Sequence, residues 1–208
     1  MLPAAPYRRV AAHAPTAGAA IAWLPTLVAK GPLPLRREHL RHQPVHAAVP
    51  TLHLIVLDAS GSMRQGGRLA LAKGYAARLI ELAARAGDDV ALLSFGGAGV
   101  ELLVPPGPAR AAGAARVRQC GGGGGTPLAQ ALAMAERLLA GPSARGRREA
   151  TLWLLTDGRT LEQPEPPSIA GHIVIIDFDH PGRPIGRCAA WAQRWPAEHR
   201  LAIDQTRA

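Results

Sequence analysis

Five oxygen-bearing side chains, in three short segments, are the residues of this sequence best suited to chemistry. Asp58-Ala59-Ser60-Gly61-Ser62 sets a carboxylate and two hydroxyls on alternate residues, so a turn there can converge three oxygens on one point. Gly61 allows that turn to bend tightly. Thr126 follows the glycine run Gly121–Gly125, and Asp157-Gly158 follows the apolar run Leu152-Trp153-Leu154-Leu155-Thr156. Two carboxylates with three hydroxyls make a hard, all-oxygen donor set that suits Mg²⁺, Mn²⁺ or Ca²⁺ and does not suit zinc or copper. Each segment alone has a plainer role. Ser60 or Ser62 could cap a helix, Thr126 could cap the next, and Asp157-Gly158 is an ordinary turn dipeptide. Their joint occurrence, in this order and at strand ends, favours a metal site.

The elements that must position these residues follow from hydrophobic periodicity. Leu52, Leu54, Ile55, Val56 and Leu57 form an apolar run ending at Asp58, as expected of a strand buried on both faces. Arg68–Ala86 has helical spacing; Val90–Phe95 and Val100–Val104 are strands joined by the short Gly96–Gly99 link, which makes the later one an antiparallel edge strand. Ala109–Val117 is a helix. Thr126 as N-cap and Pro127 at the first helical position start another, continuing through Leu128–Leu139. Thr151–Thr156 and His172–Phe178 are buried strands, Ile185–Trp195 is a helix with Trp191 and Trp195 on one face, and Leu201–Ile203 is a final short strand. Strands alternating with helices predict a doubly wound α/β domain: a mostly parallel sheet, helices on both faces, and one antiparallel edge strand.

That domain is expected over residues 51–208. Residues 1–50, rich in Pro, His and Arg, divide into a flexible leader (1–20) and a largely irregular arm (21–50) with a short helix around Ile21–Ala29. His39, His42 and His46 would share a helix face and could bind Co²⁺ or Ni²⁺, but Pro44 interrupts the helix and surface histidines are the favoured reading.

The 208 residues are 48% hydrophobic and 19% charged, suited to a folded domain. The net charge of +9 comes from scattered arginines with no interleaved aromatic stripe, which argues against nucleic acid and for acidic protein partners. Cys120 and Cys188 have no zinc spacing and are expected to be free thiols. No signal-peptide pattern or long apolar run is present, so the expectation is a cytoplasmic protein that does not engage a membrane.

Asp58-x-Ser60-x-Ser62, the distant Thr126, and Asp157-Gly158 resemble the metal-ion-dependent adhesion site of von Willebrand A domains, without a departure in the five positions. The resemblance implies that Asp58, Ser60, Ser62, Thr126 and Asp157 share one divalent ion, with a coordination position left for a partner's Asp or Glu. Leu57–Met63, Leu71-Ala72-Lys73-Gly74, Asp89–Leu92, Gly123–Ala129 and Leu155-Thr156-Asp157-Gly158-Arg159 further resemble the C-terminal A domain of magnesium chelatase D subunits. In the arm, Trp23–Leu27, Pro34–Arg37 and Leu40-Arg41 resemble the segment before that domain. Those subunits also carry an AAA+-like module and an acidic, proline-rich linker, which are absent from this sequence, and no G-x-x-x-x-G-K-[ST] occurs in it. The expected role is a non-ATPase subunit of a cobalt or magnesium chelatase in tetrapyrrole or cobalamin biosynthesis. Its Mg²⁺ would dock an acidic residue of an AAA+ ATPase or of a large catalytic subunit. The alternative is an adaptor for another MoxR-like AAA+ complex; a metallohydrolase lacks a nucleophile–base set.

Overall fold

The computed structural model describes residues 21–42, 50–97, 99–119, 125–141, 150–168, 171–180, 182 and 184–202, in a chain that divides into two units, Met1–Ala48 and Val49–Ala208. In the first unit the short helix is α1 (Trp23–Lys30), ended by Gly31 at φ 53°, whose N–H donates to the Leu27 carbonyl. Residues 21–42 are tied together by hydrogen bonds. The Thr26 hydroxyl, fully buried, donates to the Arg41 carbonyl (3.2 Å) and accepts from the Arg41 N–H (2.8 Å), while Ile21 and His42 form an antiparallel bridge. His39 corrects the expectation of surface histidines: it is only 8% exposed, and its Nδ1 accepts the Arg36 N–H at 3.1 Å. The expected leader and His46 lie outside the described residues.

The second unit runs β1 (Leu52–Asp58), α2 (Arg68–Ala86), β2 (Asp89–Gly96), β3 (Gly99–Pro108), α3 (Ala111–Gln119), α4 (Leu128–Ala140), β4 (Ala150–Thr156), β5 (His172–Asp177), α5 (Arg187–Arg194) and β6 (Glu198–Leu201). The strand order is β3-β2-β1-β4-β5-β6, parallel throughout except for the antiparallel β2–β3 pair. Alternate residues of β1 serve opposite faces, as the pleat requires. Leu52, Leu54 and Val56 pack with Leu128 and Leu132 of α4 and with Trp191 and Trp195 of α5. Ile55 and Leu57 pack with Leu69, Ala76 and Ile80 of α2 and with Val117 of α3. Helices therefore cover both faces of the sheet.

Several boundaries differ from the sequence reading, each for a local reason. β3 extends to Pro108, past Pro105 and Pro106, because an edge strand tolerates proline and the register shifts between Val90 and Leu93 take up the extra residues. The last strand is Glu198–Leu201 rather than Leu201–Ile203; its Glu-His-Arg-Leu sequence suits a polar sheet edge and carries no apolar alternation. α5 begins two residues later than expected, after Gly186 at φ 74°.

β1 lies between β2 and β4, so the chain winds outward from β1 in one direction and later returns to its other side. In doubly wound sheets such a reversal is where ligands gather, beyond the carboxyl ends of the strands, and here Asp58 and Asp157 stand at the ends of β1 and β4. The loop after β4 is fastened from below. Trp191 and Trp195 stack with centroids 5.7 Å apart, and their indole N–H groups donate to Gln163 Oε1 (3.3 Å) and the Pro164 carbonyl (3.2 Å). Trp195 is fully buried. Trp195→Ala is expected to lower stability by about 3–5 kcal/mol, read by urea denaturation, with Trp195→Phe costing clearly less.

Candidate metal centre

The β1–β4 register brings the first and third chemical segments together. Leu57 pairs with Leu155, which puts Asp58 alongside Thr156 at adjacent strand ends. Asp58 Oδ1 accepts the Ser60 N–H at 2.8 Å, closing the turn that the alternate spacing predicts, and Asp58 Oδ2 accepts the Thr156 hydroxyl at 2.6 Å. The Ser60 and Ser62 hydroxyls are 3.1 Å apart, and the Ser62 hydroxyl donates to Asp157 Oδ1 at 3.1 Å. Asp58, Ser60, Ser62 and Asp157 are thus joined in one hydrogen-bonded array. Asp58, Ser60 and Asp157 are all 1% exposed or less.

Thr126 enters differently. Pro127, not Thr126, is the N-cap of α4, and no side chain caps that helix from the cap position. The Thr126 carbonyl accepts the Leu128 N–H at 2.8 Å, a tight turn set by the proline. Glu162 Oε2 instead accepts the Ala129 N–H at 2.7 Å, tying the start of α4 to the loop that follows Asp157. Thr126 is half-buried, and no hydrogen bond among the described residues links its hydroxyl to the other four. Gly121–Gly124 and Cys120 lie outside the described residues.

Burial pushes the Asp58 carboxyl above its ordinary value; hydrogen bonds from Thr156 and Ser60 pull it down, and the Asp157 charge raises it further. Asp157 Oδ2 is buried without a hydrogen-bond partner among the described residues. Two guanidinium groups stand near it: Arg68 Nη1 at 3.5 Å and Arg159 Nε at 3.8 Å. Arg159 also bonds Asp179 Oδ1 through Nη2 at 2.9 Å. Burial acts to raise the Asp179 carboxyl, but N–H donors from Ile185 and His180, together with Arg159, outweigh it and hold the group below the usual range.

These residues fit a hard divalent cation. A buried carboxylate oxygen without a hydrogen-bond donor, beside a second carboxylate and two hydroxyls, is the environment such an ion satisfies. Among the described residues no group of three or more His, Cys, Asp or Glu converges as a metal site, so a cation here would depend on hydroxyl donors as well as carboxylates. Sequence reasoning missed Thr156, whose signal was a lone hydroxyl ending an apolar strand. It also missed Arg68 and Arg159, which it named only as the first residue of a helix and the last residue of a motif.

A profile of the von Willebrand factor type A domain matches residues 53–159, more than half of the chain. The chain belongs to the von Willebrand factor type A domain family. Over 107 residues, 51% of this chain, it is 42% identical to the magnesium-chelatase 60 kDa subunit of Cereibacter sphaeroides, covering 19% of that subunit. Over 109 residues (52% of this chain), it is 36% identical to the magnesium-chelatase 67 kDa subunit of Chlorobaculum tepidum, covering 17% of it. An uncharacterised Mycobacterium tuberculosis protein is 34% identical over 116 residues, 55% of this chain and 18% of that protein. The matches span about a fifth of the length of these curated relatives. The von Willebrand factor type A structure from Catenulispora acidiphila shares the fold at TM-score 0.54 and 19% identity, over 74% of this chain and 39% of that one. So does the conserved hypothetical protein BatB from Bacteroides thetaiotaomicron, at TM-score 0.57 and 16% identity, over 75% of this chain and 92% of that one. No helix among the described residues is long and apolar enough to cross a membrane.

Two outcomes test the packing beneath the site. Gly158 has φ +66°, and a Cβ there would meet Cys188 Sγ at 3.0 Å and Arg187 Cβ at 3.3 Å. Gly158→Ala should therefore cost more than the roughly 1–2 kcal/mol of a left-handed backbone alone, measured by denaturant titration. Cys188 is buried, and burial first, then the Asp177 carboxylate, raises its thiol far above the ordinary range. In a Cys120→Ser background the native protein should leave Cys188 unmodified by Ellman's reagent, with full reaction after unfolding.

Proposed function

We propose that this chain is a non-ATPase von Willebrand A subunit of an AAA+-driven cobalt or magnesium chelatase acting on a tetrapyrrole in the cytoplasm. Asp58, Ser60, Ser62, Thr126 and Asp157 hold one Mg²⁺, with Mn²⁺ or Ca²⁺ as substitutes, directly or through water. The bound ion supplies a Lewis-acidic position that an Asp or Glu of the ATPase or of the large catalytic subunit completes. This resident ion is a docking bridge and is distinct from the ion inserted into the macrocycle.

The observation that carries the reading is the hydrogen-bonded array of buried Asp58, Ser60 and Asp157 with half-buried Ser62, in which Asp157 Oδ2 has no hydrogen bond among the described residues. Similarity to magnesium-chelatase subunits in the same segment supplies the biological setting. This chain's own residues do three things. Thr156 fixes the Asp58 carboxylate, Ser62 orients Asp157, and the net charge of +9 favours encounter with an acidic partner. The second reading, an adaptor for a different MoxR-like AAA+ complex, is favoured by the match covering only about a fifth of its relatives' length.

Calorimetry should show Mg²⁺ binding by the wild type and at least a hundredfold weaker binding by Asp58→Ala; equal binding by the two overturns the site. Pull-down from the native lysate should recover an AAA+ ATPase with a large chelatase subunit, and EDTA should release both. Recovery of an AAA+ ATPase without any chelatase subunit selects the adaptor.

A further inference from the structure

The Asp157 side chain is fully buried, and its Oδ2 lies within ion-pair range of two guanidinium groups without receiving a hydrogen bond from either. Both groups are held in place by other partners. Arg68 donates from Nη2 to the Ser62 carbonyl (2.8 Å) and from Nε to the Gln65 carbonyl (3.1 Å). Arg159 donates from Nη2 to Asp179 Oδ1 (2.9 Å). The Arg68 and Arg159 side chains are 15% and 30% exposed, so this cationic rim borders solvent while the carboxylate beneath it does not.

We infer that Arg68 and Arg159 make cation binding at this site conditional on a carboxylate arriving from the partner, so that ion and acidic side chain are recognised together. The inference rests on the metal reading given above. Arg68 and Arg159 set two positive charges against Asp157, with Asp58 nearby and Asp179 itself paired to Arg159, so three carboxylates share two guanidinium groups before any ion enters. A lone divalent cation comes to a place whose negative charge is already largely offset and is repelled by both arginines at short range. A carboxylate that completes the ion's shell reverses the balance, because the arginines that repelled the cation attract the anion. Their forked donors also match carboxylate geometry. A neutral amide or hydroxyl would gain the metal contact but only a neutral hydrogen bond from the rim, without the charge attraction. The partner is therefore a protein presenting an ionised Asp or Glu side chain, and the arginines set specificity without being ligands.

The test uses Mn²⁺ as the probe ion, with acetate as the carboxylate, read by calorimetry and electron paramagnetic resonance on the full chain. In wild type, acetate should tighten Mn²⁺ binding relative to chloride. Arg159→Gln should bind Mn²⁺ alone about fivefold more tightly or better, and should lose most of the acetate effect. Arg68→Gln should shift in the same direction. Because Arg68 also holds the Ser62 and Gln65 carbonyls, Arg68→Lys serves as its charge-retaining control and should stay near wild type. The inference is overturned if Arg159→Gln binds Mn²⁺ alone no more tightly than wild type, or keeps its full acetate response. Equal Mn²⁺ uptake by wild type and Asp157→Ala is a separate result, and it removes the metal reading itself.

Discussion

Two carboxylates buried side by side at the ends of neighbouring parallel strands are the constraint around which this domain is arranged. Asp58 and Asp157 are at most 1% exposed, and a buried anion is costly unless it is paired or hydrogen-bonded. The surrounding structure offsets that cost piece by piece. The Ser60 N–H, the Thr156 hydroxyl, the Ser62 hydroxyl and the Arg159 N–H each give one carboxylate oxygen a donor. Arg68 and Arg159 add positive charge. One oxygen, Asp157 Oδ2, still has no hydrogen bond among the described residues, and the raised Asp58 carboxyl reflects the same incomplete compensation.

Holding such a site demands rigidity beneath it, and the packing provides this from both sides of the sheet. On one face the stacked Trp191 and Trp195 fasten the loop that leaves Asp157, and Glu162 in that loop reaches the start of α4. On the other, Met63 is fully buried among Ile55, Leu57, Leu69 and Phe178, which anchors the turn carrying Ser60 and Ser62. The oxygen-bearing loops are thus short spans between firmly packed ends.

Much of this was legible in the sequence because the physics that sets it is local. Apolar runs ending in Asp58 and Asp157, and the helical spacing of Arg68–Ala86, identify buried strands and an amphipathic helix without reference to distant contacts. The Asp-x-Ser-x-Ser turn could be read from spacing alone, since its closing hydrogen bond joins residues two apart. What stayed hidden depends on residues brought together across the sheet. Thr156 matters only because the β1–β4 register sets it beside Asp58, and Arg159 only because β4 and β5 end side by side near Asp179. The Pro105-Pro106 stretch of β3 misleads for a related reason, because proline stops a central strand but not an edge one. Thr126 suits a helix cap by type, yet the tight turn at Pro127 shifts the helix start one residue onward.

The place of Asp157 in the sheet also bears on how the domain would carry a mechanical load. β4 is an interior strand, hydrogen-bonded along its length to β1 on one side and β5 on the other. A pull applied at its carboxyl end and directed along the strand loads both ladders in shear, so the bonds share the force together rather than opening one after another. Asp58 closes the neighbouring strand β1, itself held between β2 and β4. A load taken up at these two carboxylates would therefore fall on two central strands, each held by a neighbour on both sides.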